Sequence, residues 1–152
     1  MFDDRISWDE YFMSIADLVS RRSTCRRQVG AILVIDDRVI SAGYNGAPKG
    51  LKHCSEMGGC IRINNNIKSG TCQEMCRAVH AEQNAIIQAA VRGCSIKDSI
   101  LYTNTYPCSI CTRMIINAEI KKIIYKGDYE DQLSKELLEE AGIEVIKYNP
   151  KQ

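Results

Sequence analysis

The hydrophobic pattern of the first third of the chain predicts one helix and two strands. Apolar residues recur at helical spacing across residues 8–21, and Ser7 with Glu10 has the spacing of a helix capping box at its start. Residues 29–35 are rich in β-branched residues and almost wholly apolar, which is typical of a buried strand. A second strand is expected at residues 38–43, after a tight acidic connection.

Strands and helices alternate in the second half of the chain. Their patterns predict helices at residues 76–92, 107–118 and 131–141 and strands at residues 100–105, 120–125 and 143–148. Pro107 suits the first position of its helix. Because a helix separates the last two strands, they need a crossover connection and should run parallel. The chain therefore predicts an α/β fold, a three-layer α/β/α sandwich on a five-stranded mixed sheet.

A long segment at about residues 44–75 interrupts this alternation. It is rich in Gly, Asn, Lys and Cys, has little periodicity and is longer than most connecting loops. We interpret it as a functional insertion. The length of 152 residues fits one domain, predicted over residues 1–152.

Charge and cysteine usage limit the classes of function. Lys and Arg (20) nearly balance Asp and Glu (19), so we expect no recruitment of nucleic acid or membrane by a general positive field. The chain begins Met-Phe-Asp-Asp-Arg, unlike a signal peptide, and no apolar run could span a bilayer. We therefore expect a cytoplasmic location, where the eight cysteines would stay reduced and clustered cysteines more often bind metal or do chemistry. Only two histidines are present, which excludes a three-histidine metal site.

Two short motifs indicate a catalytic zinc site. Cys108 and Cys111 are three residues apart at the start of a predicted helix, so both can reach one ion, and His80 would supply a third ligand from another helix. One nitrogen and two thiolates occupy three of the four tetrahedral positions of Zn²⁺ and leave the last for water, as in catalytic zinc sites. Glu82 lies two residues beyond His80, which suits a general acid and base. The alternative is a structural zinc or a pair of bare thiols.

The motif His-x-Glu with Pro-Cys-x-x-Cys is the signature of zinc-dependent deaminases. With its flanking segments, the chain resembles the deoxycytidylate (dCMP) deaminases of the cytidine deaminase-like fold. The resemblance covers roughly residues 8–148 and rests on Val29-Gly30-Ala31-Ile32-Leu33-Val34, Gly43-Tyr44-Asn45-Gly46-Ala47-Pro48-Lys49-Gly50, His80-Ala81-Glu82-Gln83-Asn84-Ala85-Ile86 and Pro107-Cys108-Ser109-Ile110-Cys111. It implies hydrolytic deamination of dCMP to dUMP with release of ammonia, which supplies dUMP for thymidylate synthesis.

Four further residues are candidates for binding the substrate. Asn45 and Tyr129 match family residues that hold the sugar and lie against the substrate. Arg26 and Arg27 belong to the densest basic patch, and a guanidinium suits a 5′-phosphate. Each has an ordinary alternative: Asn45 as part of an Asn-Gly turn, Tyr129 as a surface residue, and the arginines as a solvated helix end.

The resemblance also implies regulation and assembly. Enzymes of this kind are typically hexamers that dCTP activates and dTTP inhibits, so we expect a homo-oligomer, nucleotide effectors and Mg²⁺ accompanying bound dCTP. One catalytic Zn²⁺ per chain is expected. Some relatives carry a second, structural zinc, for which the candidate ligands here are Cys25, His53, Cys54, Cys60, Cys72 and Cys76, with Cys72 and Cys76 spaced to share a helix face. Reduced buried thiols are the alternative.

Two other functions remain open on the sequence alone. The chain could deaminate another substrate, such as cytidine or tRNA adenosine, although no extended basic stripe favours tRNA. It could also be a non-catalytic zinc-binding module. Glu82 argues against the module, because a purely structural metal site needs no adjacent carboxylate.

Overall fold

The computed structural model describes residues 4–150 as a mixed sheet between layers of helices. Residues 1–3 and 151–152, the ends of the predicted domain, lie outside the described residues, and the single-domain organisation stays a prediction. The strands are β1 (Gly30–Ile35), β2 (Arg38–Tyr44), β3 (Ile100–Thr103), β4 (Lys122–Tyr125) and β5 (Glu144–Lys147). The α-helices are α1 (Trp8–Ser20), α2 (Ile61–Asn64), α3 (Ala81–Arg92), α4 (Ser109–Asn117) and α5 (Gln132–Glu140).

The five strands are ordered β2-β1-β3-β4-β5. Strand β1 pairs antiparallel with β2 and with β3, whereas β3, β4 and β5 run parallel. Helices α4 and α5 are the crossover connections that parallel neighbours require. The predicted mixed sheet and its parallel last pair of strands are confirmed.

Side chains of the strands alternate between two cores because successive residues of a strand point to opposite faces. Ile32 and Val34 pack with Phe12 and Met13 of α1 on one face. Ala31 and Leu33 face the other core, which contains buried residues of α3, α4 and α5. The predicted three-layer arrangement is therefore present, with α1 alone against the first face.

Glycine allows α3 to lie very close to the edge strand β2. A Cβ atom built on Gly43 would lie 2.4 Å from the carbonyl oxygen of Ala81 and 2.4 Å from the backbone nitrogen of Ala85. Two hydrogen bonds hold the same contact: Ser41 Oγ donates to the carbonyl of Ala85 (2.6 Å), and the side chain of Asn84 donates to the carbonyl of Tyr44 (2.8 Å). This contact sets the position of the first turn of α3.

Several predicted boundaries are wrong. The helix expected from residue 76 begins at Ala81, because Val79 is extended and pairs with Gly46 in an isolated antiparallel bridge. Pro107 is not the first helical residue, since Cys108 is the extended N-cap of α4. The remaining predicted elements lie in the right order, with ends that differ from the structure by a few residues.

The predicted insertion contains only short helical segments. Helix α2 lies between two single 3₁₀ turns, Cys54–Met57 and Gln73–Met75. Cys72 has a φ of 48° and precedes the second turn, so Cys72 and Cys76 do not share a helix face as we expected. Among residues 4–150, no helix has the length and apolar character needed to cross a membrane.

Candidate metal and catalytic site

Two helix starts bring the predicted metal ligands together. His80 is the N-cap of α3 and Cys108 the N-cap of α4, both with extended backbones, and Cys111 follows in the first turn of α4. The backbone N–H of His80 donates to the Gln83 side chain at 2.8 Å, which holds this end of α3. Because the N-terminus of a helix carries partial positive charge, the N-cap position of Cys108 favours its thiolate form.

The three ligand atoms are spaced as one small cation would need. His80 Nδ1 lies 3.2 Å from Cys111 Sγ and 3.4 Å from Cys108 Sγ, and all three atoms lie within 4.8 Å of one another. Tetrahedral Zn²⁺, with bonds of about 2.0–2.1 Å to nitrogen and about 2.3 Å to sulfur, would separate such atoms by about 3.6 Å. One imidazole and two thiols are also the donor types that zinc prefers. The residues therefore fit a zinc ion.

The pKa values of the two thiols shift in opposite directions. The hydrogen bond from Cys111, helped by His80, lowers the pKa of Cys108 to about 4. The same contact with Cys108, together with burial and the charge of Glu82, raises the pKa of Cys111. A bound cation removes such a remaining proton, because a coordinating thiol is deprotonated.

Glu82 is a buried carboxylate beside this cluster. Its side chain is only 3% exposed. The Cys111 thiol lies 3.6 Å from Oε2, and the Thr103 hydroxyl lies 3.5 Å from Oε1. Burial raises the pKa of Glu82 above its ordinary value. Such a carboxyl group is placed to exchange protons with a molecule bound at the cluster.

An open cavity of about 620 Å³ leads from the cluster to the surface. His80, Glu82 and Cys108 line its inner end. The other predicted residues lie on its walls, namely Asn45, Tyr129, Arg26 and Arg27. The structure thus places every candidate catalytic, catalytic-zinc and substrate-binding residue on one cavity, except the buried Cys111.

Arg27 and Tyr129 form one side of this cavity. The Arg27 guanidinium lies over the Tyr129 ring, 5.4 Å from its centre, and donates to Thr105 Oγ1 at 2.6 Å. Tyr129 is therefore a stacking partner inside the cavity rather than an ordinary surface residue. Both side chains are held in place before any ligand binds.

Both polar atoms of the Asn45 side chain form hydrogen bonds with backbone groups of the cavity wall. Its Oδ1 accepts from the N–H of Val29 at 2.9 Å, and its Nδ2 donates to the carbonyl of Arg27 at 2.8 Å. The alternative of an Asn-Gly turn is not supported, because Gly46 continues in the bridge to Val79. The structure shows a positioning role for Asn45, and contact with a sugar stays a prediction.

Sequence reasoning missed three residues around the site. Thr103 contacts Glu82 from the end of β3. Gln73 of the insertion lies 3.7 Å from Cys108 Sγ through its Oε1. Asp131 accepts from the N–H of Ser109 at 3.1 Å and from that of Ser134 at 2.9 Å, so it caps α4 and α5 together. Only Asp131 could have been found from the sequence, because it lies at the start of a predicted helix.

Three of the remaining cysteines, Cys25, Cys60 and Cys76, also line this cavity. Burial raises the pKa of Cys25, and the neighbouring thiols of Cys76, Cys54 and Cys60 raise it further. Within residues 4–150, however, only His80, Cys108 and Cys111 bring three such ligand atoms within 4.8 Å. A second zinc ion and reduced thiols stay the two hypotheses for these cysteines.

A comparison with known families agrees with this site. Residues 6–126 match the family described as the cytidine and deoxycytidylate deaminase zinc-binding region. The chain belongs to that family. The predicted resemblance to this deaminase family is confirmed. Tyr129 lies beyond the matched segment.

Individual relatives cover nearly the whole chain. A deoxycytidylate deaminase of Schizosaccharomyces pombe is 40% identical over 148 residues, 96% of this chain but only 45% of that protein. ComE operon protein 2 of Bacillus subtilis is 40% identical over 93% of this chain and 71% of its own length. The dCMP deaminase of cyanophage S-TIM5, solved with dCMP and dUMP, is 32% identical with a TM-score of 0.76 and covers 91% of this chain and 95% of that one. The predicted cytidine deaminase-like fold is confirmed.

Proposed function

We propose that this chain deaminates dCMP to dUMP and ammonia, and so supplies dUMP for thymidylate synthesis. The observation that carries the proposal is the buried Glu82 carboxylate beside the cluster of His80, Cys108 and Cys111, at the inner end of an open cavity. Relatives named deoxycytidylate deaminase and the dCMP-bound phage structure support the choice of substrate.

His80, Cys108 and Cys111 would hold one Zn²⁺ per chain. When bound, zinc supplies Lewis acidity and makes water a nucleophile near neutral pH. One side of the cluster faces the cavity, and His80 and Cys108 line the cavity on that side. This placement suits a hydrolytic site rather than a closed structural one.

Glu82 would carry the protons of the reaction. As water oxygen attacks C4 of the cytosine ring, the carboxylate accepts a proton from the water and gives it to N3. A second proton moves from the new hydroxyl group through Glu82 to the exocyclic amino group, the C4–N bond breaks, and ammonia leaves. The hydroxyl of Thr103, which donates to Glu82, would hold the carboxylate in the required orientation.

The arginine side of the cavity would take the nucleotide part of the substrate. Arg26 and Arg27 line it, and a guanidinium binds phosphate through paired, charge-assisted hydrogen bonds. Tyr129, stacked beneath Arg27, would lie against the substrate. Asn45 would hold the sugar or position the Arg27 backbone to which it is bonded.

Regulation and assembly follow from the family resemblance. We propose a cytoplasmic homo-oligomer, a hexamer, that dCTP activates, with Mg²⁺ accompanying the effector, and that dTTP inhibits. Sedimentation with and without dCTP would test this, together with the saturation curve for dCMP. If dCTP changed neither the association state nor the curve, this part of the proposal would be wrong.

Ammonia release provides the direct test of the activity. The zinc-loaded chain is incubated with dCMP, with cytidine and with a tRNA anticodon stem, and ammonia is measured in each case. We expect release from dCMP in clear preference to the other two. Preferred release from cytidine or from the tRNA stem would assign another deaminase activity. If the zinc-loaded chain released no ammonia from any of the three, a non-catalytic zinc-binding module would be favoured.

A further inference from the structure

The insertion places a third arginine, Arg62, in the catalytic cavity. Arg62 lies on the short helix α2 and is half-buried. It lines the same cavity as Arg26, Arg27 and Glu82. No pattern in the sequence joins residue 62 to residues 26 and 27, because only the folded insertion brings them to one cavity.

The Arg62 side chain is held in place but keeps most of its donors. Its Nη2 donates to the carbonyl of Lys68 at 3.0 Å, and its own carbonyl accepts from the N–H of Ile67 at 2.8 Å. These bonds fix the guanidinium against the loop that follows α2. Because a guanidinium has five N–H donors, several remain for a ligand.

Arg62 lines the same cavity as Arg27 and Tyr129. The Arg27 guanidinium lies over the Tyr129 ring, 5.4 Å from its centre. The insertion is also in close contact there, since a Cβ atom on Gly70 would lie 3.2 Å from the Tyr129 hydroxyl. The insertion therefore forms part of the cavity wall beside Tyr129 and Arg27.

Within the part of the chain that the structure describes, no carboxylate pairs with the three arginines. All ion pairs formed within residues 4–150 use lysine side chains. Of the described residues that line the cavity, Glu82 is the acidic one, and it is buried at the metal end. Three arginines that line one cavity without a carboxylate partner among the described residues favour a ligand with a multiply charged anionic group, such as a phosphate monoester.

We propose that Arg62 is a specificity-determining residue that binds the 5′-phosphate with Arg26 and Arg27. The insertion would thereby make the cavity selective for nucleotides over nucleosides. This inference rests on the proposed function, because it assigns a residue to the phosphate of that substrate. The competing explanation is that Arg62 is purely structural and only connects α2 to Lys68 through its hydrogen bond.

Binding of dUMP and of deoxyuridine to the zinc-loaded chain tests the proposal without turnover. Calorimetric titration gives both dissociation constants for the wild type, for Arg62→Gln and for Arg62→Lys. Loss of a charge-assisted contact should raise the dissociation constant of dUMP about 10- to 100-fold in Arg62→Gln. Arg62→Lys, which keeps the charge but not the planar fork, should show a smaller rise. The constant for deoxyuridine should change less than about twofold in either variant.

Arg77→Gln is the matched control. Arg77 is also a half-buried arginine near the insertion, and it donates to the carbonyl of Lys52 at 2.8 Å, but it does not line the cavity. We expect dUMP binding in this variant to match the wild type. An equal loss in Arg77→Gln and Arg62→Gln would overturn the proposal, because it would show a general effect on the insertion.

Two further outcomes are decisive. Arg62→Gln weakening dUMP and deoxyuridine alike, or leaving both unchanged, would overturn the phosphate role. If Arg62→Gln does not fold, as judged by thermal denaturation, Arg62→Lys alone decides by whether it weakens dUMP selectively. Failure of the proposed function is distinguishable, since the wild type would then release no ammonia from dCMP while its binding of dUMP still depended on Arg62.

Discussion

Substitution of Gly43 by alanine tests how the fold positions the proposed catalytic residues. The added methyl carbon would lie 2.4 Å from the carbonyl oxygen of Ala81 and from the backbone nitrogen of Ala85, whereas ordinary contacts begin at 3.4 Å. Both atoms belong to the backbone of α3 and cannot rotate away. The first turns of α3 must therefore retreat from β2 by about 1 Å.

This displacement has two measurable consequences. Overpacking of this kind costs about 1–3 kcal/mol, which for a domain of this size lowers Tm by about 2–12 °C. His80 and Glu82 move with the same end of α3. Because a misplacement of about 1 Å can cost about 100-fold in rate, turnover of dCMP per folded molecule should fall by about that factor. Thermal denaturation and ammonia release measure these two consequences, and zinc content shows whether the metal ligands still bind zinc.

Two other glycines provide controls. A methyl carbon added at Gly46 would meet no atom of the described residues within 4 Å, so Gly46→Ala should leave Tm and turnover close to the wild type. At Gly30 a methyl carbon would lie 2.1 Å from the carbonyl of Ala16 in α1, on the opposite face of the sheet from the site. Gly30→Ala should lower Tm with little change in turnover per folded molecule. Wild-type turnover in Gly43→Ala, or an equal loss in Gly30→Ala, would refute the reasoning.

The remaining predictions concern the metal, the proton carrier and the arginines. Glu82→Gln should retain zinc by metal analysis and lose about 10²- to 10⁴-fold in ammonia release, and substantial residual activity would exclude this role. Cys108→Ser should remove the expected zinc, about one per chain, whereas Cys60→Ser should not change the zinc content. A second zinc in the wild type that Cys60→Ser removes would establish a structural site. Arg27→Ala should raise KM for dCMP far more than KM for deoxycytidine, and Thr105→Val, which removes the hydroxyl that Arg27 contacts at 2.6 Å, should do so to a smaller degree. Equal changes for both substrates would contradict the phosphate role of Arg27.

Local patterns were sufficient to predict the strands and their order of appearance. The buried strand β1 is apolar on both sides because each of its faces packs against helices. The pair Cys108 and Cys111 could be predicted to share an ion because a separation of three residues places both in the first turn of one helix. Such inferences succeed because burial and helical geometry act over only a few residues.

The predicted start of α3 was wrong because it depends on a contact between distant parts of the chain. Residues 76–80 have a composition that fits a helix, but Val79 pairs with Gly46, far away in the chain, and this pairing keeps the backbone extended up to His80. The error matters for the site, because His80 serves as the N-cap with its side chain toward Cys108 and Cys111. A contact between distant segments decided the local conformation.

The sequence by itself determined which side chains are candidates for the chemistry, namely one histidine, two cysteines and a glutamate in short motifs. Only the tertiary structure decided what surrounds them. It buried Glu82 against Thr103 and brought Arg62 of the insertion to the cavity that Arg27 lines. Residue spacing along a helix follows from local geometry, whereas the meeting of separate segments depends on how the helices pack on the sheet.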